Sequence, residues 1–401
     1  MGSRTERMAE EGLLLVVDDN EMNRDMLTRR LSRRGFTVVT AADGQEALDR
    51  IAEQSFDVIL LDITMPRVDG MEVLSRLRET TSAADLPVIM ATARSETEDV
   101  VRALEMGAND YVTKPLDFQI VLARLQTQLS LKRARQELKS AHTRMKADLQ
   151  AAARVQQALL PTDLPEIPGV TCAWRYKACD ELAGDAVNIF RLDERHICLY
   201  VLDVSGHGVP ASLLSVSVTR SLTMHADRSS LVLVPGEDGA GFRVAAPAEV
   251  ARRLNVIYPM GGSANLYFTL CYGILDMQTN RFSFVCAGHP GPVLARRDGA
   301  TSSITVPGLP IGIRENAEYE DTTVHLLPGD RLYLYSDGLT EETHPSGDEF
   351  GQDRLEAAVV RKQHLTLDAS LDALIGAVST WHGSDRFSDD LSIVALEIRE
   401  K

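Results

Sequence analysis

The chain has 401 residues, 44% hydrophobic and 25% charged, which is typical of folded protein and too long for one average domain. Lys and Arg number 42 against 58 Asp and Glu, and this net charge of −16 argues against nucleic-acid binding unless basic residues cluster. No apolar run approaches the roughly 18 residues of a membrane helix, and no signal-peptide pattern is present, so we expect no membrane contact. The five cysteines form no CxxC pair and are typical of reduced thiols in a cytoplasmic protein.

Residues 12–124 alternate short apolar runs with helical patterns, after a predicted tail at 1–11. We predict strands at 13–17, 36–40, 57–61, 87–91 and 110–113, and helices around 21–33, 44–54, 70–79, 96–106 and from 117 onward. Five strand–helix units in this order indicate an α/β domain with a doubly wound, five-stranded parallel sheet. Ligands of such sheets bind beyond the carboxyl ends of the strands.

Residues 125–160 are predicted to form a helical linker with a coiled-coil face, through which we expect a homodimer. The segment 124–160 carries a net charge of +6, which leaves −22 for the rest of the chain. Its apolar residues keep a 3-4 spacing that only Asp148 interrupts: Leu131, Ala134, Leu138, Ala141, Met145, Ala152, Val155 and Leu159. A single helix packed on a neighbouring domain is the alternative. A DNA-reading helix is disfavoured because the basic residues surround the helix and no helix-turn-helix follows.

Residues 161–401 are predicted to be mainly β with a few helices. Strand patterns occur at 170–176, 196–203, 268–275, 280–286, 331–335 and 391–398, and helical patterns at 210–225, 247–258, 353–362 and 367–381. The small residues of 227–246 predict a surface insertion.

Acidic residues follow two strands of the N-terminal sheet. Asp18 and Asp19 come directly after the first strand, and Asp62 follows the third. Neighbouring strand ends bring these carboxylates together, and crowded carboxylates favour Mg²⁺ or Mn²⁺. Thr92 and Lys114 end the fourth and fifth strands at the same rim. The set predicts a carboxylate that accepts a phosphoryl group.

Residues 12–130 resemble the response-regulator receiver family, through the segments VVDDNEMNR, LLDITMPRVDG, IMATAR and DYVTKPL. The resemblance implies that Asp62 is the phosphoacceptor of a sensor histidine kinase. It also implies a Mg²⁺ ion held by Asp18, Asp19, Asp62 and the Thr64 carbonyl. Thr92 and Lys114 would bind the phosphoryl group, Tyr111 would be the aromatic switch, and Lys114–Pro115 would be a cis peptide.

Four segments of the C-terminal half place acidic residues beside small ones: LAGDAVNIF, LDVSGHGVPA, YSDGLTEET and FSDDLSIVAL. Carboxylates at several strand ends, without a His or Cys cluster, again indicate hard divalent cations. A two-metal site can activate water for phosphoryl transfer without a protein nucleophile. Neither a GxSxG elbow nor a cysteine-phosphatase loop is present in the sequence.

Residues 155–399 resemble the metal-dependent PPM-type protein phosphatases of the bacterial sporulation and general-stress subfamily. VQQALLP, FTLCYGILD, CAGHPGPVL and LPIGI add to the four acidic segments. The resemblance implies an α+β sandwich flanked by helices, and two Mn²⁺ or Mg²⁺ ions held by Asp185, Asp203, the Val204 carbonyl, Asp337 and Asp389. Asp390 is the alternative to Asp389, because the register of two adjacent aspartates is open.

The first acidic segment departs from the subfamily pattern. Ala183 replaces a glycine, Ala186 and Val187 replace aromatic residues, and Asn188 replaces a second aspartate. Asn keeps an oxygen ligand but loses a charge. Because Asp185 is retained, we expect an active enzyme, with a partner-sequestering protein of the same fold as the alternative.

Two histidines lie in glycine-flanked segments near these acids. His207 is a candidate general acid for the leaving serine oxygen, or a residue that only holds its loop. For His289 a loop-holding role is favoured. The combined expectation is a response regulator whose phosphorylation controls a serine/threonine protein phosphatase, with activation favoured over inhibition. By family resemblance the substrate is a phosphorylated STAS-type anti-anti-sigma factor, so the protein would act in partner switching and sigma-factor regulation without contacting DNA.

Overall fold

The computed structural model describes residues 12–93, 97–161, 164, 167–222, 230–236, 241–260 and 265–399. The predicted tail at 1–11 lies outside them. The chain divides into two compact units, Met1–Met145 and Lys146–Lys401. Among the described residues, no helix combines the length and apolar character needed to cross a membrane.

The first unit alternates strands and helices as the sequence predicts. Its elements are β1 (Leu13–Val17), α1 (Glu21–Ser32), β2 (Thr37–Ala41), α2 (Gly44–Glu53), β3 (Val58–Asp62), α3 (Gly70–Thr80), β4 (Val88–Ala93), α4 (Thr97–Glu105), β5 (Asp110–Lys114) and α5 (Phe118–Gln157). The strands form one parallel sheet in the order β2-β1-β3-β4-β5. This order confirms the doubly wound fold.

Both faces of this sheet are covered, which explains its nearly continuous apolar strands. In β1, Leu14 and Val16 pack on one side, and Leu15 and Val17 pack on the other. Helices α1, α2 and α3 start at Asn20, Asp43 and Asp69, whose side chains accept hydrogen bonds from first-turn N–H groups.

Helix α5 is one uninterrupted helix of 40 residues, and the division between the two units falls within it. Its first three turns bury apolar side chains from Phe118 to Leu129 against the sheet. Beyond them, Leu131, Leu138 and Met145 are exposed.

The second unit is mainly antiparallel β. Its strands are β6 (Val170–Lys177), β7 (Ala186–Arg191), β8 (His196–Val204), β9 (Leu233–Pro235), β10 (Phe242–Val244), β11 (Phe268–Asp276), β12 (Arg281–Ala287), β13 (Val293–Ala295), β14 (Thr301–Ser303), β15 (Thr322–His325), β16 (Arg331–Tyr335) and β17 (Leu391–Ile398). Its helices are α6 (Val209–Ser221), α7 (Pro247–Ile257), α8 (Gly351–Lys362) and α9 (Leu367–His382).

Ten of these strands form two five-stranded sheets that pack face to face. The first sheet has the order β15-β12-β11-β8-β7, and the second has the order β14-β13-β16-β17-β6. In β8 the odd-numbered side chains from Ile197 to Val201 face the second sheet, and the even-numbered ones from Cys198 to Val204 face α6 and α7. Helices α8 and α9 cover the other side of the second sheet. This sandwich flanked by helices confirms the predicted α+β class.

The described part of the predicted surface insertion at 227–246 has strands that are mostly exposed or partly exposed, but its base is buried. Strands β9 and β10 form an antiparallel hairpin, and the flanking Val232 and Ala245 are completely buried in the core beneath the first sheet. The small residues of this segment suggested a surface loop. Small residues also suit the tightly packed base of a hairpin, and composition alone does not distinguish the two. Residues 227–229 and 237–240 of this region lie outside the described part of the chain.

Candidate functional sites

The three predicted receiver carboxylates converge at the carboxyl edge of the parallel sheet. Asp18 and Asp19 follow β1, and Asp62 is the last residue of β3. One carboxylate oxygen from each residue lies within 4.8 Å of the others. Asp18 and Asp62 are buried, whereas Asp19 is exposed. A buried acidic cluster open to solvent on one side suits a hard divalent cation such as Mg²⁺.

Lys114 closes this cluster from the end of β5. Its Nζ lies 2.5 Å from Asp62 Oδ2 and 3.1 Å from Asp18 Oδ2. Burial raises the pKa of Asp62, and the hydrogen bond and charge of Lys114 partly offset this rise. Burial alone would lower the pKa of Lys114, but its bonds to Asp62 and Asp18 raise it overall. Lys114 is therefore held as a cation beside the predicted phosphoacceptor.

The remaining predicted receiver residues lie around the same edge. Thr92 is buried in β4 and paired in register with Thr113 of β5. The Thr64 N–H lies 3.4 Å from Asp62 Oδ1. Tyr111 is partly exposed on β5, and the Lys114–Pro115 peptide is cis.

Sequence reasoning missed the residues that hold Asp18. Asn23 Nδ2 lies 3.1 Å from each carboxylate oxygen of Asp18, and Arg24 donates to the Asp18 and Asp19 carbonyls. Both side chains come from the first turn of α1, so helical spacing from the capping Asn20 was the available signal.

The predicted phosphatase carboxylates lie at strand ends in the second unit. Asp185 precedes β7, Asp203 is near the end of β8, Asp337 lies two residues after the end of β16, and Asp389 lies just before β17. Asp203, Val204, His207 and Asp389 line a cavity of about 350 Å³. Two of the four predicted acidic segments, far apart along the chain, thus supply carboxylates to one cavity.

Burial and the charges of neighbouring acids shift the pKa values of these carboxyls. Burial, followed by the charges of Asp337 and Asp389, raises the pKa of Asp203 to about 7. Burial and the charges of Asp203 and Asp390 raise the pKa of Asp185 well above its ordinary value. Asp185 Oδ2 is buried and has no hydrogen-bond partner among the described residues. An orphaned carboxylate oxygen within a crowded acidic set fits divalent cations.

Asp389 and Asp390 have different surroundings. Asp390 is buried, and its carboxylate accepts hydrogen bonds from the N–H groups of Cys179 at 2.9 Å, Gly184 at 2.7 Å and Asp185 at 3.4 Å. Asp389 is exposed and lines the cavity. Asp389 is therefore the aspartate open to the cavity, and Asp390 is hydrogen-bonded to the loop that carries Asp185.

Close packing explains one glycine beside this site. A Cβ on Gly184 would lie 2.9 Å from the Val204 carbonyl oxygen, so a larger residue would displace the backbone next to two candidate ligands.

Asn188 lies in β7, where its side-chain oxygen accepts a hydrogen bond from the Ile189 N–H at 2.8 Å. His207 is exposed at the cavity, between Gly206 and Gly208, which both adopt positive φ.

Two further residues, Gln156 and Glu342, support the acidic loops and were not predicted to do so. Gln156 contacts the main chain of Ala183. Buried Glu342 accepts hydrogen bonds from the N–H and hydroxyl of Ser388 at 3.1 Å and pairs with His382 at 2.9 Å. His289, assigned to loop holding, is buried and joins two strands.

Two family models match the chain. The model described as Stage II sporulation protein E (SpoIIE) matches residues 193–399, which is just over half of the chain. The model described as response regulator receiver domain matches residues 14–126. Asp185 precedes the first of these ranges. The two matches confirm the predicted receiver domain and phosphatase family.

Each of the similar proteins named below matches either the receiver part or the phosphatase part of the chain. Response regulator MprA of Mycolicibacterium vanbaalenii is 45% identical over 116 residues, which are 29% of this chain and 49% of that protein. The chain thus spans about half the length of the curated relatives it matches. The SiaA-PP2C domain of Pseudomonas aeruginosa superposes with a TM-score of 0.52 at 21% identity, over 64% of this chain and 98% of that one. The phosphatase domain of SpoIIE from Bacillus subtilis, solved with a regulatory fragment, gives a TM-score of 0.47 at 21% identity, over 58% and 64%.

Proposed function

Because the chain belongs to the stage II sporulation protein E family and carries a receiver domain, we propose that it is a serine/threonine protein phosphatase controlled by phosphorylation of Asp62. The observation that supports this best is that Asp203 and Asp389 line one cavity, that the charges of Asp337 and Asp389 act on Asp203, and that one buried Asp185 oxygen has no hydrogen-bond partner among the described residues. Such a site is expensive to keep in a folded protein unless cations neutralise it.

In this proposal Asp185, Asp203, the Val204 carbonyl, Asp337 and Asp389 hold two Mn²⁺ or Mg²⁺ ions. When bound, such a pair of ions activates water and neutralises phosphoryl oxygens. The chain itself orients the ligands, because Asp390 fixes the Asp185 loop through three N–H groups. His207, exposed at the cavity, is placed to give a proton to the serine or threonine oxygen that leaves.

At the receiver site, an Asp62 oxygen takes a phosphoryl group from the phosphohistidine of a sensor kinase. The new P–O bond forms as the P–N bond to histidine breaks. Asp18, Asp19, Asp62 and the Thr64 carbonyl would hold Mg²⁺, which neutralises phosphoryl charge. Lys114, already 2.5 Å from Asp62, and the Thr92 hydroxyl would then bind the new phosphoryl oxygens, with Tyr111 as the aromatic switch.

For the substrate we propose a phosphorylated STAS-type anti-anti-sigma factor, so that sigma-factor activity changes through partner switching. The protein would act as a homodimer formed through α5. We place it in the cytoplasm, since all five cysteines are free thiols, as is usual in a reducing compartment. Phosphorylation of Asp62 is expected to activate the phosphatase.

The test is release of phosphate from a phospho-STAS protein with Mn²⁺, with and without a small acyl-phosphate donor. We expect the donor to raise the turnover of the wild type. The Asp62→Ala variant should keep the basal turnover, and the donor should not change it. Asp49→Ala, on the exposed face of α2, is the matched control. If the donor and Asp62→Ala both leave the rate unchanged, the proposed control by phosphorylation is wrong.

The alternative is a phosphatase-fold protein that only sequesters its partner, suggested by Asn188 in place of a second aspartate. It predicts that wild type and Asp203→Asn are equally inactive on a generic phosphoester with Mn²⁺ while partner binding survives. We expect instead that Asp203→Asn abolishes a measurable wild-type turnover.

A further inference from the structure

His289 is a buried imidazole that touches both sheets of the second unit. Its Nδ1 lies 2.6 Å from the hydroxyl oxygen of Thr269 in β11, and its Nε2 lies 3.0 Å from the carbonyl oxygen of Tyr335, the last residue of β16. β11 belongs to the first sheet and β16 to the second. One ring therefore bridges the two layers of the sandwich.

The backbone before His289 leaves the ring little freedom. Gly288 adopts a φ of 69°, and a Cβ there would lie 2.4 Å from Pro310 Cγ. Only glycine fits this turn, which directs His289 inward from the end of β12. With 5% of its surface exposed, the ring is held by the two strands that it bridges.

The hydrogen-bond partners determine where the ring proton lies. A carbonyl oxygen only accepts hydrogen bonds, so Nε2 carries the proton and its N–H donates a hydrogen bond to the Tyr335 carbonyl oxygen. Burial lowers the pKa of His289 to about 4, so the ring is neutral near pH 7 and Nδ1 accepts from the Thr269 hydroxyl. Both ring nitrogens are used, and neither is left for proton transfer.

Each end of this bridge adjoins a candidate metal ligand. Thr269 is directly opposite Asp203 in the β11–β8 register, and Tyr335 is two residues before Asp337. We propose that His289 is a positioning residue that sets the separation of the Asp203 and Asp337 carboxylates, and through it the affinity of the site for divalent cations. This inference rests on the proposed function, because it takes both carboxylates as metal ligands.

The test compares the full-length wild type with His289→Phe, His289→Gln and Thr269→Val. Mn²⁺ binding is measured by calorimetry without substrate, and phosphoester turnover is measured across Mn²⁺ concentrations. Thr269→Val is nearly isosteric and removes only the hydroxyl, so it tests the bridge even if His289→Phe does not fold. Thr323→Val is the matched control, because it breaks a 3.0 Å hydroxyl pair with Ser283 in the same sheet.

We expect His289→Phe and Thr269→Val to raise the Mn²⁺ dissociation constant by about ten-fold, the lower end for residues that orient metal ligands. His289→Gln keeps an N–H for Tyr335 and should recover part of the affinity. At saturating Mn²⁺, kcat and the KM for the phosphoester should stay close to wild type. Unchanged Mn²⁺ affinity in folded Thr269→Val and His289→Gln would overturn the positioning role alone, whereas a wild type that binds no Mn²⁺ would overturn the proposed function as well.

Discussion

The side-chain amide of Gln156 pairs with the main chain of Ala183 in both directions. Gln156 Nε2 donates to the Ala183 carbonyl oxygen at 2.7 Å, and the Ala183 N–H donates to Gln156 Oε1 at 3.3 Å. Gln156 is the penultimate residue of α5, and Ala183 is two residues before Asp185. The end of the helix is thereby connected to the loop that carries a candidate metal ligand.

We expect Gln156→Ala to weaken control of the phosphatase. The substitution leaves the buried N–H and carbonyl of Ala183 without partners, at a cost of about 1–3 kcal/mol, so the Asp185 loop becomes less well held. The ratio of phosphatase activity with and without an acyl-phosphate donor should fall to about one, and more Mn²⁺ should be needed. Gln157→Ala, at an exposed neighbouring position, is the control. A full donor response in Gln156→Ala would show that this contact carries no signal.

Asp389→Asn and Asp390→Asn should separate metal binding from loop stability. The Asp390 carboxylate accepts hydrogen bonds from three main-chain N–H groups. The Asp390→Asn substitution should therefore destabilise the second unit by about 2 kcal/mol, or about 4–8 °C in Tm. Asp389→Asn should leave the metal-free Tm close to wild type and weaken Mn²⁺ binding. Calorimetry and thermal unfolding measure the two effects. The opposite pattern would make Asp390 the ligand.

The stability of the metal-free protein should fall as pH rises from about 4 to about 7. Burial, with the charges of Asp337 and Asp389, raises the pKa of Asp203 to about 7 from an ordinary 3.8. Within this window the folded state holds a proton that the unfolded chain has released, so the free energy of unfolding decreases with increasing pH. Mn²⁺ competes with this proton, and the rise in Tm on adding Mn²⁺ should be larger at about pH 8 than at about pH 6.

Asp203→Asn is the control for this pH dependence. It lacks the titrating carboxyl, so the metal-free Tm should change less with pH, and added Mn²⁺ should have little effect. Differential scanning calorimetry in chelator-treated buffer measures both. A wild-type Tm that increases between about pH 5 and about pH 7, after subtraction of the Asp203→Asn curve, would contradict the raised pKa.

The receiver carboxylates were predictable because β1 and β3 are neighbours in a parallel sheet, so strand ends in the sequence become one edge in space. The choice between Asp389 and Asp390 was not. It depends on tertiary contacts such as the hydrogen bond that the Gly184 N–H, 206 residues away in the chain, donates to the Asp390 carboxylate, and a single sequence holds no signal for such a pairing.

The contacts of Gln156 and His289 were hidden for a related reason. Each depends on a main-chain group, Ala183 in one case and the Tyr335 carbonyl in the other, and main-chain groups are the same in every residue type. The buried base of the hairpin, at Val232 and Ala245, was missed because the glycines and other small residues of 227–246 predict a loop, while tertiary packing decides which residues are covered. Periodicity predicted the elements, and tertiary hydrogen bonds determined how the site is held.

Leu131, Leu138 and Met145 lie seven residues apart in α5 and are 61%, 71% and 60% exposed. Apolar side chains at this interval form the seam of a coiled coil, and a second copy of the helix is the partner that we propose.

We expect the full-length protein to be a dimer by sedimentation velocity at micromolar concentration. Leu138→Asp should make it monomeric, because a charge in the seam must be buried or the helices must separate. Gln136→Asp, on the far side of the helix from this seam, should remain dimeric. A wild-type monomer would instead favour the single helix packed within its own chain, whereas loss of the donor response together with the dimer in Leu138→Asp would show that the dimer is needed for control.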